Sequence, residues 1–119
     1  MPIRREKWTR LDVNVKIEAP RGNHNFEVLF VSPGGMFVPQ DMGLEPYTQL
    51  TARFNVEGNA VVAHLEMRRA LSPEDAQDRG IDHPVGGTEM RIVRMEGDGS
   101  VILAEHIKKV MMESGGPTG

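Results

Sequence analysis

At 119 residues, with no cysteine and a net charge of −3, the chain is expected to form one domain with a modest core. The lack of cysteine excludes disulfides and thiolate metal sites. No apolar run approaches the roughly 18 residues that cross a bilayer, and the N-terminus has no apolar signal region, so a cytoplasmic protein without a membrane span is expected. The charge is uneven: in residues 1–10, Arg4, Arg5, Lys7 and Arg10 stand against Glu6 for +3, which leaves −6 for the rest. An acidic body with a short basic arm argues against DNA binding and suits one small anionic ligand better than a long nucleic acid.

In chain order, Leu11, Val13, Val15 and Ile17 alternate with polar residues, which predicts a half-buried strand over 11–18. Residues 20–23 read as a turn, 26–31 as a second strand, and 36–38 as a short third strand stopped by Pro39. Ser32-Pro33-Gly34-Gly35 hinges the last two. A loop over 41–46 leads into a strand over 48–54, with Leu50, Ala52 and Phe54 on one face. Glu57-Gly58-Asn59 is a hairpin turn. A long strand over 60–67 follows, with Val61, Ala63, Leu65 and Met67 facing one way.

Residues 70–88 are polar and rich in turn signals, and Ser72-Pro73-Glu74-Asp75 predicts a capped helical turn with proline at its first position. A last strand covers 89–95. After the turn at Glu96-Gly97-Asp98-Gly99, a helix starts near Ser100. Leu103, Ile107, Val110 and Met111 share one face of it, opposite Glu105, Lys108 and Lys109. Five or six short antiparallel strands followed by one helix predict a mostly β fold, a small barrel with the helix capping an open end or an edge. The expected organisation is a basic arm over 1–10, the barrel with its helix over 11–112, and a flexible tail over 113–119.

Catalytic and metal chemistry find little support. His24, His64, His83 and His106 have no metal-ligand spacing. Asp41, Glu45, Asp75 and Asp78 make no acid–base pair, and Ser32 lacks the context of a nucleophile. The expectation is therefore no enzyme, no metal and no cofactor. Trp8 is expected to pack the arm onto the barrel, and Met36, Met42, Met111 and Met112 are candidates for an adaptable protein-binding surface.

Four features in order resemble the PilZ domain family: the arm RREKWTR, the Ser-x-x-Gly hinge Ser32–Gly35, the long hairpin strands TQLTARFNV and AVVAHLEMRR, and the strand TEMRIVRM followed by an amphipathic helix. The resemblance implies a six-stranded antiparallel barrel. Many members are receptors for the bacterial second messenger cyclic di-GMP. It also implies a ligand site built on Arg4, Arg5, Arg10, Ser32 and Gly35, with guanidinium forks for the phosphates and guanines.

The chain departs from that pattern twice. Phe30 holds the position that is acidic or Asn in the family, and it cannot accept from guanine donors; an unpaired donor costs about 1–3 kcal/mol. Arg5 and Arg10 are separated by four residues rather than three. Weak or absent cyclic di-GMP binding is the expectation, with function carried by contacts to other signalling or motility proteins. The segment 71–87, with Glu74, Asp75, Asp78, Asp82 and His83, is the expected partner surface: a long polar loop on a rigid scaffold. Replacing it by a short turn is expected to leave the barrel folded. Neither the partner nor the oligomeric state is legible.

Overall fold

The computed structural model describes residues 8–81 and 83–114. In order these form β1 (Thr9–Leu11), β2 (Val15–Ala19), β3 (Gly22–Phe26), β4 (Leu29–Ser32), β5 (Gly35–Val38), β6 (Gln49–Val56), β7 (Asn59–Leu71), α1 (Pro73–Asp78), β8 (Gly87–Met95) and α2 (Gly99–Ser114). The strands make one antiparallel sheet in the order β1-β4-β5-β8-β7-β6-β2-β3. β1 and β3 stand at its two ends, yet β1 runs into β2 across residues 12–14, and β3 into β4 across 27–28. Short covalent links thus draw the two ends of the ladder together, and the sheet curls into a barrel-like shell.

Eight strands replace the six expected. The strand predicted over 11–18 is broken at 12–14, and the one over 26–31 is broken at 27–28. The alternation of Leu11, Val13, Val15 and Ile17 runs through the first break, so period two could not reveal it. β3, Gly-Asn-His-Asn-Phe, starts inside the turn expected over 20–23 and ends at Phe26, the expected start of the second strand; among the described residues it pairs with β2, and an edge strand needs little apolar patterning. Thr9 and Arg10 of the expected arm already belong to β1, α2 extends through Ser114, and residues 1–7 and 115–119 lie outside the described part.

The inner face holds the main core: Leu11, Val15, Ile17, Leu50, Phe54 and Leu65 among others. Met36 and Met42 are buried in it rather than lining a surface, whereas Met112 is exposed. The β6–β7 turn puts Glu57 and Gly58 at φ of 50° and 82°. Two successive positive φ values define the turn type whose twist matches a hairpin. α2 packs on β6 and β7, burying Leu103 and resting Ile102 and Ile107 on the core, with Glu105, Lys108 and Lys109 outside. No described helix is long and apolar enough to cross a membrane.

Two Glu–His contacts tie the helix down. His64 Nε2 lies 2.7 Å from Glu96 in the turn before α2. His106 Nδ1 of α2 lies 3.1 Å from Glu57, to which Lys109 Nζ also donates at 3.0 Å. The Lys109 and His106 hydrogen bonds hold the Glu57 carboxyl below the ordinary 4.5, and the His64 hydrogen bond does the same for Glu96. A carboxyl lowered by folding stabilises above its unfolded value, and that contribution is lost as pH falls through the folded one. The docking of α2 is therefore expected to loosen below pH 4.5. Loss of protection at α2 amides before the β6–β7 ladder, followed by hydrogen exchange on acidification, would bear this out. Simultaneous loss in both would count against it.

Candidate functional site

On the outer side of the shell, register aligns Arg10, Phe30, Phe37, Glu89 and Arg69 in one cross-strand row, and Ser32, Gly35, Arg91 and Glu66 in the next. An outer barrel face is normally wet, but here every residue of β4 and β5 is buried. Phe30 and Phe37 are 2% and 0% exposed and meet edge to face with centroids 5.8 Å apart. Leu71, Ala76 and Ile81 close over them, and Trp8 and Val28 flank the cluster. This is a second core, separate from the inner one.

The cover is the segment that follows β7. Ser72 caps α1, its Oγ accepting from the Asp75 N–H at 3.1 Å, with Pro73 in the first turn. Gly80, at φ 88°, ends the helix, and the Ile81 N–H returns to the Ala76 carbonyl at 2.9 Å. The two ends of the segment then touch. A Cβ on Gly86 would fall 2.2 Å from the Leu71 carbonyl oxygen, and one on Gly87 1.9 Å from that of Val38, so only glycine permits the approach. Ends in contact and apolar side chains packed beneath make residues 72–86 an Ω-type loop. The segment, predicted as a polar loop, is polar outside and apolar underneath.

A charged clamp reinforces it. Glu89 lies beside Phe37 with its side chain 7% exposed. Arg79 Nη1, at the end of α1, donates to both of its carboxylate oxygens at 2.9 Å, and Arg69 Nε approaches to 3.4 Å. Removing one partner strands the other, which is where a buried ion pair shows its effect. Arg79→Ala is expected to cost about 2 kcal/mol, tempered because Arg79 is partly exposed and Arg69 remains. Adding Glu89→Leu should recover part of that loss in urea denaturation. A double variant weaker than Arg79→Ala by the full cost of a second lesion would refute the coupling.

Of the residues predicted for ligand binding, Ser32 and Gly35 are direct cross-strand partners, one row from Arg10. Arg4 and Arg5 lie outside the described residues. Arg10 is exposed in β1 and donates to Asp12 at 3.1 Å. Ser32 is buried at the end of β4. A Cβ on Gly35 would meet the Met90 carbonyl oxygen at 2.9 Å and the Trp8 ring at 3.4 Å, so the glycine of the hinge serves close packing of β8 and the arm. The Trp8 indole N–H is buried and has no hydrogen-bond partner among the described residues.

Of the predicted partner residues, Glu74, Asp75 and Asp78 are exposed on the outside of α1, and Asp82 lies outside the described residues. His83 turns inward, its ring edge-on to Phe30 at 5.7 Å, with Nδ1 accepting from the Val85 N–H at 3.3 Å. Glu89, Arg79 and Arg69 were not singled out from the sequence. The signal available was Leu71, Ala76 and Ile81, isolated apolar residues in an otherwise polar stretch.

Among the described residues no three His, Asp or Glu side chains gather as a metal site. A groove of about 890 Å³ shares no residue with these outer rows. It opens beside the two strand breaks, floored by Val15, Phe26 and Phe54, and its cations Lys16 and Arg53 both pair with Glu18. The Arg53 hydrogen bond lowers the Glu18 carboxyl below its ordinary value.

No family model matches the sequence, and no curated protein does. The fold is shared. The structure of the Bacillus subtilis inhibitor of motility, MotI/DgrA, superposes on 92% of this chain with a TM-score of 0.59 and 14% identity. The match takes in 52% of that chain, so this protein spans about half the length of its neighbour. At that identity the likeness concerns the backbone alone, a curled antiparallel sheet with a C-terminal helix.

Proposed function

We propose that the chain is a PilZ-type adaptor in bacterial signalling, acting through protein contacts, with weak or absent cyclic di-GMP binding. The observation that carries this is the covered outer face. The position where the family places an acidic or Asn residue is Phe30, and Phe30 is sealed beneath the chain's own Ω-loop. A ligand seated at that position would have to displace Leu71, Ala76 and Ile81 and reopen the Arg79–Glu89 clamp. In the same reading, β1–β2 and β3–β4 are two kinked strands of a six-membered barrel, and the protein is cytoplasmic and not an enzyme. The fold it shares with an inhibitor of motility makes control of motility the first output to test, ahead of adhesion or polysaccharide production.

Calorimetric titration with cyclic di-GMP decides between this and the alternative, a receptor with an atypical site on Arg4, Arg5, Arg10, Ser32 and Gly35. That alternative draws on one observation: Arg10, Ser32 and Gly35 lie in adjacent outer rows. The adaptor reading expects no heat of binding at dinucleotide concentrations of about 100 μM, where a submicromolar receptor would be saturated. A submicromolar dissociation constant that Arg10→Ala abolishes would establish the alternative instead.

A further inference from the structure

A second surface has the features that the covered face lacks. Between the β4–β5 hairpin tip, the end of β8 and the first half of α2 lies a groove floored by Pro33, Ile92, Met95, Leu103 and Ala104. Its volume, about 270 Å³, falls just below the ~300–1,000 Å³ usual for small-molecule sites, and suits one large side chain. Arg94 and Ser100 stand among its lining residues.

The presence of Arg94 there has a structural cause. Leu65 pairs with Ile92 but His64 pairs with Arg94, so Val93 is an extra residue in β8. Without that bulge, Arg94 would point inward like Ile92; the bulge re-aims it. Val93 itself is left 44% exposed. Arg91 and Arg53 form salt bridges with Glu66 and Glu18, whereas Arg94 forms none with a described residue. Glu96, whose carboxyl senses the charge of Arg94, is engaged by His64 at 2.7 Å. The first turn of α2 carries no acidic residue, so the positive end of its dipole adds to the field of Arg94. The groove therefore combines an apolar floor with a cationic rim.

Building on the adaptor reading, we infer that this groove is the docking surface for an acidic segment of a partner protein, one large apolar side chain entering the floor and a neighbouring carboxylate pairing with Arg94. The apolar side chain supplies the anchor, and the charge pair sets register and selects against basic sequences.

The test uses the full chain, labelled for amide NMR, and synthetic ten-residue Gly/Ser peptides carrying one Phe flanked by two Asp, two Lys or two Ser. The Asp-flanked peptide is expected to shift the amides of Ile92, Arg94, Ser100 and Leu103, and the Lys-flanked peptide to leave them unmoved. Arg94→Glu should weaken binding about tenfold or more, as reversal of an interfacial charge does. Arg68→Glu, on an exposed residue outside the groove, should change nothing. Equal binding of the Lys peptide, shifts centred elsewhere, or no shift at millimolar Asp peptide would overturn the inference. Cyclic di-GMP titration keeps the two readings apart. Tight dinucleotide binding beside acid-selective peptide binding removes the adaptor reading and keeps the groove. Absence of both removes the groove alone.

Discussion

Phe30→Asp, which places an acidic residue where the PilZ pattern has one, is expected to unfold the chain rather than create a receptor. Phe30 is 2% exposed and packs against Phe37, His83, Leu71 and Ile81. Truncating a buried phenylalanine costs about 3–5 kcal/mol. A carboxylate placed there must also be desolvated or protonated, which adds to the cost. The whole of a domain's stability is about 5–15 kcal/mol. The variant should therefore be largely unfolded or aggregated at room temperature, visible as loss of the urea transition. Phe30→Leu, which keeps the volume apolar, should stay folded with a modest loss. A folded, soluble Phe30→Asp that binds cyclic di-GMP would show that the Ω-loop is a removable lid and that the site beneath it is intact.

Excision of the loop itself should be nearly as damaging. Replacing residues 72–86 with a short Gly-Ser linker removes Ala76 and Ile81 from above Phe30 and Phe37 and takes Arg79 from Glu89. Uncovering two large aromatic side chains costs about 3–6 kcal/mol at the usual 1.5–3 per side chain. The half-orphaned carboxylate adds to that. Strong binding of a hydrophobic dye and a lowered unfolding midpoint are expected, and loss of partner binding in such a variant would say nothing about the loop as an interface. Charge reversal on the outside of α1, at Glu74, Asp75 and Asp78, tests the interface without touching the cover. A loop-less chain with an unchanged midpoint would mean that the second core contributes little.

How much of this was legible follows from where the chemistry lies. The inner face was readable because Leu50, Ala52 and Phe54, and Val61 to Met67, alternate without interruption in a hairpin closed by its own turn. The capped start of α1 was readable because Ser72 and Pro73 act within one turn. The strand breaks were not, since the side chains on either side keep their phase while the chain changes ladder. Nor was the second core. It joins residues as distant as Phe30 and Ile81, and only cross-strand register brings the segment 72–86 over β4 and β5. Phe30 was noticed as a missing acceptor; its reason for being apolar is the loop above it. Glu89 is the first residue of the last predicted strand, and only folding places it between two arginines.

The glycine-closed base of the Ω-loop has a consequence for connectivity. Leu71 and Gly87 are ladder partners, so the backbone enters and leaves the loop at one point of the sheet. A nick at the exposed Pro84 or Val85 would divide the chain into two pieces without moving either. The smaller piece, β8 with α2, would remain slotted between β5 and β7, its neighbours in the sheet. Covalent continuity at that point supplies proximity rather than shape, which makes the loop a natural place to divide this protein into two complementing halves.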